Sequence, residues 1–225
     1  MSYNVPQLSF VNKILIALLA AAFILQSFFP PIGSFLELSS SVFSGRVYQI
    51  LTYPFVGRGI FEVVFNCLLL WLIGSDLESL WGRKKYFFAL LIGTIGGGLT
   101  YVAISAFFPS VGPLYGLSGL VTLLMVCFAV LYPHALFSFM FLIPIKAKYF
   151  AMLIIGIELY TSFFSASGVS TLAHLGGVAA GYLFIFQLPK LKKRRPKGRL
   201  VLIKGLKNGE ENRNNDNDFP PKYWH

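Results

Sequence analysis

Ser118, His174 and Asn66 are polar side chains set inside long apolar runs. A polar group in lipid is costly and demands a reason. One reason is chemistry. A serine hydroxyl is a weak nucleophile until a base takes its proton. Neutral imidazole is a common base near neutral pH, and His174 is the only histidine within an apolar run. Ser118 lies in "GLSG", residues 116–119, where a helix is expected to begin. Unpaired backbone N–H groups and the positive dipole end favour a developing oxyanion at such a place. The backbone at Gly116 and Leu117 and the side-chain amide of Asn66 are the candidate donors. Glu158, in another apolar run, could orient the imidazole as a third member. A structural hydrogen bond to a neighbouring helix is the simpler reading of that acid. The default is a Ser–His dyad.

A packing role explains the same residues. Small residues line membrane helix contacts, and residue 120 is Leu, so "GLSG" departs from the soluble-hydrolase elbow G-x-S-x-G. Residue types alone leave catalysis and packing both open. Cys67 and Cys127 stand singly in apolar runs, unlike a disulfide framework or a metal cluster. No cofactor and no metal are expected.

The elements that must position these groups follow from composition. The chain has 225 residues, of which 56% are hydrophobic and 12% charged; soluble domains average about 25% charged. A bilayer core about 30 Å thick takes about 20 apolar helical residues. Six runs qualify, at 11–29, 58–80, 85–108, 114–132, 147–164 and 169–188. This predicts an all-α membrane protein in three parts: a short N-terminus (1–10), a membrane domain (11–189), and a basic, then polar and disordered tail (190–225). The first run has only Lys13 before it and "PPIGSF" after it, so it reads as a retained span. The segment 134–147, broken by Pro144, is expected to be a membrane-hugging loop.

Basic residues set the expected orientation. Arg83, Lys84 and Lys85, then Lys146 and Lys148, then "KLKKRRPKGR" at 190–199 should all face the cytoplasm, with both termini. Directly after an apolar run, the last of these suits anionic lipid rather than nucleic acid. On this topology Ser118 lies about 6 Å from the outer end of its span, His174 about 8 Å, Glu158 about 9 Å and Asn66 about 12 Å. Groups from separate spans thus meet at similar depth. Gly119 has no side chain to hold a neighbour away. Gly177 and Gly181 share a helix face with His174, which should let the sixth span approach the fourth.

These residues resemble the rhomboid intramembrane serine proteases. "GLSG" (116–119) is similar to their nucleophile motif. "AHLGGVAAG" (173–181) resembles their sixth-span motif. "FNCLLLWLIGSDLESLWG" (65–82) resembles their second-span signature, and "GRVYQILTYPF" (45–55) the stretch leading into it. The resemblance implies a six-transmembrane-helix rhomboid-like bundle. It also implies transmembrane protein substrates, Ser118 as nucleophile, His174 as general base, and a dyad without Glu158. A bacterial plasma membrane is the expected location. Several positions depart from the family. Glu62 stands where a histidine assisting the oxyanion is common, Gly57 where a second histidine is frequent, and Thr122 where an aromatic residue stacks on the base. Tyr48 and Gln49 replace a Trp-Arg pair. A protonated Glu62 could donate a hydrogen bond to the oxyanion. The departures also leave room for a catalytically inactive rhomboid-like protein that binds or escorts membrane clients. A small transporter is disfavoured, because no repeat and no acidic chain across the membrane are visible.

Overall fold

The computed structural model describes residues 6–108, 111–139, 143–164 and 168–187. The chain divides into a compact unit, Met1–Lys192, and a second unit, Lys193–His225, which lies outside the described residues. The expectations for the basic run 190–199 and for the polar tail therefore concern residues that are not described.

The fold is mostly helical. Helix α1 spans Phe10–Phe28, α2 Ile60–Trp81, α3 Arg83–Phe107, α4 Ser118–Leu131, α5 Ala147–Phe164 and α6 Gly168–Gln187. Three of them, α1, α2 and α3, are long and apolar enough to cross a membrane, and shorter apolar helices join them. The outward surface carries large apolar side chains, among them Ile14, Leu18 and Leu25 on α1 and Phe87, Phe88 and Leu99 on α3. A contiguous apolar exterior of this kind marks a protein whose surroundings are lipid. The chain is a multi-pass integral membrane protein.

Helix α4 is the innermost. It is buried almost all round, from Gly119 to Ala129, as expected of a helix hydrophobic on every side. Its 14 residues span about 21 Å, less than the thickness of the hydrocarbon core. The sequence places the start of this span at 114, whereas the helix begins at Ser118. Leu114 instead pairs with Leu38 through two backbone bonds of 2.9 and 2.8 Å, and Gly116 then turns the chain at φ +97°, a conformation that favours glycine.

The segment between α1 and α2 is built of short helical turns, Pro31–Leu36, Ser40–Ser44, Gln49–Thr52 and Tyr53–Phe55. Buried Gln49 pins them, accepting from Ser39 N–H and Ser41 Oγ and donating to the Phe35 carbonyl. Tyr48 donates to the same carbonyl and lies against the Phe35 ring. At the far end of α2, Glu78 accepts from Ser9 Oγ and from the N–H groups of Val11 and Asn12 at the start of α1. A carboxylate at a helix N-terminus satisfies orphan donors and suits the dipole, so Glu78 is structural.

The segment 134–147 is not an irregular loop. Leu136–Phe139 (β1) pairs antiparallel with Ile143–Lys146 (β2), with Pro144 opposite Ser138. Proline is tolerated in a two-stranded pair because each strand has a free edge.

Candidate active site

Helix α6 lies in the seam between α3 and α4, and glycines set its distance from both. On the α3 side, a Cβ on Gly177 would stand 2.6 Å from the Gly93 carbonyl oxygen, and one on Gly97 would stand 3.2 Å from the Ala173 carbonyl oxygen. On the α4 side, Gly181 rests against Leu123 and Gly119 against His174. The expectation that Gly177 and Gly181 both serve the α4 contact is therefore corrected: Gly177 faces α3, and only Gly181 faces α4. The partner glycines of α3 lie in "GTIGGG" at 93–98, whose glycine density is the sequence signal for this contact.

This seam brings His174 to Ser118. The serine Oγ and His174 Nδ1 are 3.3 Å apart. Ser118 is half-buried and His174 is 9% exposed, so the pair is sheltered but reachable from the serine side. For Nδ1 to accept the hydroxyl proton, the ring's own proton must sit on Nε2. Nε2 is buried and has no hydrogen-bond partner among the described residues. The ring is held by Ser118 at Nδ1, by a hydrogen bond with the Tyr115 backbone, and by the bare backbone of Gly119 along its Cγ–Cδ2 edge.

Among the described residues no hydrogen bond joins Glu158 to the imidazole. Its Oε1 accepts from Thr122 Oγ1 at 2.7 Å, one turn below Ser118 on α4. This is the structural link between helices that the sequence suggests, and it also accounts for Thr122. At Gly57, a Cβ would collide with the Val63 side chain and come within 3.3 Å of Phe23, so a longer side chain there requires Val63 to move.

Serine at the first position of α4 places the N–H groups of Leu117, Ser118 and Gly119 at a helix start, where no intrahelical acceptor exists. Gly116 N–H is already committed to the Tyr53 carbonyl at 3.0 Å. Of the expected backbone donors, the Leu117 N–H has no acceptor among the described residues and Gly116 is a hinge. Asn66 is buried on α2 with Val63, Leu69 and Ile73. Among the described residues no hydrogen bond joins it to Ser118 or His174. Glu62, one turn nearer the helix start, turns toward the serine. Its Oε1 and Ser118 Oγ lie 3.0 and 3.7 Å from the point where a Gly116 Cβ would stand.

Two residues around the serine turn were not anticipated. Tyr53 anchors Gly116 and also donates from its hydroxyl to the Thr94 carbonyl of α3. Arg58 pairs with Glu37 at 2.7 Å and covers the Tyr115 ring at 3.8 Å, which ties the α1–α2 segment to the residues just before the serine. A lone basic residue among aromatics was its only signal.

Fold and site together define a polytopic helical membrane protein with a serine–histidine pair inside its bundle. The Rhomboid domain family matches residues 44–190, and the chain belongs to that family. It is similar to RHOMBOID-like protein 12, mitochondrial, of Arabidopsis thaliana, with 28% identity over 150 residues, covering 60% of this chain and 45% of that protein. It is also similar to Rhomboid protease GluP of Bacillus subtilis, with 26% identity over 144 residues, covering 64% of this chain and 26% of that one. A third relative is Rhomboid protein 1, mitochondrial, of Saccharomyces cerevisiae, with 26% identity over 165 residues, covering 68% and 45%. The chain spans less than half the length of each of these relatives.

Proposed function

We propose that this protein is an intramembrane serine endopeptidase, which hydrolyses peptide bonds in or near transmembrane segments of membrane-protein substrates. The observation that carries the reading is the 3.3 Å contact between Ser118 Oγ and His174 Nδ1 at the start of a short buried helix. Membership of the Rhomboid domain family supports it.

In this reading Ser118 Oγ attacks the substrate carbonyl carbon while its proton passes to His174. The carbonyl oxygen becomes an oxyanion, met by N–H groups at the start of α4, chiefly that of Leu117, with Asn66 as a side-chain donor. Gly116 shapes the turn that presents them. The intermediate collapses, His174 gives its proton to the leaving amine, and an acyl-enzyme remains on Ser118. Water, deprotonated by His174, then releases the acid and restores the serine. The six helices act as one bundle with the serine end outward and both termini cytoplasmic, and the basic tail meets anionic lipid.

Purified protein should cleave a reporter transmembrane substrate and react with a fluorophosphonate probe. Ser118→Ala should abolish both, and His174→Ala should abolish cleavage. Absence of both activities in the native chain, with a control protease reacting, would leave the second reading: an inactive rhomboid-like protein that binds or escorts membrane clients. The acid at position 62 beside the serine is the observation that favours that alternative.

A further inference from the structure

The dyad leaves one charged neighbour without a task. Glu62 lies in the first turn of α2 and is half-buried. Its carboxylate accepts a hydrogen bond from the Arg58 backbone N–H. This resembles the reach of an acid at the third helical position back toward the residues before the helix. Glu62 is thus an acceptor toward the chain that enters α2. Oε1 meanwhile faces the Gly116 turn, on the side where Ser118 Oγ lies.

A carboxylate there repels the charge that forms on the substrate oxygen, unless a cation offsets it. Arg58, at the same end of α2, offsets part of that charge through space, but its guanidinium is paired with Glu37 and stacked on Tyr115. Among the described residues no ion pair reaches Glu62. A basic side chain of the substrate can supply the rest. Gly116 puts no side chain between the two groups: Glu62 Oε1 and Ser118 Oγ flank the same point of the turn, so a basic group of a substrate bound at the serine faces the acid.

We propose that Glu62 determines specificity: its carboxylate receives a lysine or arginine side chain of the substrate, close to the bond presented to Ser118. The favoured substrates are then transmembrane segments with a basic residue near the scissile bond. This deepens the protease reading and rests on it.

The test uses the full chain in liposomes. Reporter transmembrane substrates differ by a single residue, Ala, Lys or Glu, at each position within about three residues of the cleaved bond. The readout is the ratio of kcat/KM between Lys and Ala reporters. At one position the native chain should prefer Lys by about fivefold, the scale of a partly exposed ion pair, and should disfavour Glu. Glu62→Gln keeps an acceptor for the Arg58 N–H and should bring the ratio to about one. Glu62→Lys should turn the preference toward Glu. Cleavage with no charge preference at any position overturns this proposal alone, as does a preference that survives Glu62→Gln. No cleavage of any reporter, together with no probe labelling of Ser118, ends the protease reading and this proposal with it.

Discussion

Gly119 supports the His174 ring: a Cβ on that glycine would stand 3.0 Å from both Cγ and Cδ2 of the imidazole. That is tighter than ordinary carbon contacts, so Gly119→Ala must push the ring by a few tenths of an ångström. The Ser118–His174 contact is already long at 3.3 Å, at the weak end of hydrogen bonding. A small displacement should therefore separate the pair. Gly119→Ala is expected to lower kcat/KM on a reporter substrate by at least about tenfold while the protein still folds, as read by thermal unfolding. Unchanged cleavage would mean that the ring does not depend on this contact.

Much of the bundle is legible locally, because a lipid-facing helix must be apolar over its whole length. The six runs read from hydropathy coincide closely with α1 to α6. Where the sequence misleads, the deciding partner is distant. Residues 114–117 look like the start of a helix, yet Leu114 is claimed by Leu38, some 76 positions away. Pro144 reads as a breaker, yet it sits in a strand opposite Ser138. Ser118 and His174 could be matched by depth alone. The partner of Gly177 could not, since that requires knowing that α6 also touches α3.

The two glycines of the α6 motif should respond differently to alanine. Gly177 faces backbone, with the Gly93 carbonyl 2.6 Å from the added carbon, and backbone of a packed helix yields little. Gly181 faces the end of the Leu123 side chain, which can rotate. Gly177→Ala should cost about 1–3 kcal/mol of stability, the range of overpacking, and Gly181→Ala less. Denaturant unfolding in detergent checks the order; equal costs would contradict the assignment of Gly177 to the α3 contact.

Gln49 is completely buried and holds three groups of the α1–α2 segment. Gln49→Ala leaves the Ser39 N–H without its acceptor, while the Phe35 carbonyl keeps only Tyr48. Each unsatisfied buried group costs about 1–3 kcal/mol. Because this segment pairs with Leu114, the loosening should reach the serine turn. Hydrogen exchange should accelerate at 38–49 and at 114–117 together. Faster exchange in the first stretch alone would show that the two are not coupled.

Thr122 and Glu158 bear on whether the site is a dyad. Thr122 Oγ1 donates to Glu158 Oε1 at 2.7 Å, joining α4 to α5. Thr122→Val preserves shape but removes the donor, and should cost about 1 kcal/mol, the scale of a hydrogen bond between membrane helices. For a chain of this size that lowers Tm by about 2–4 °C, and Thr122→Ser should restore most of it. Glu158→Gln still offers an oxygen to Thr122 and has no bond to His174 to lose. It should therefore retain most cleavage of a reporter substrate. A loss as deep as that of His174→Ala would make the acid a third catalytic member, acting through a rearrangement of α5 that brings it to the imidazole.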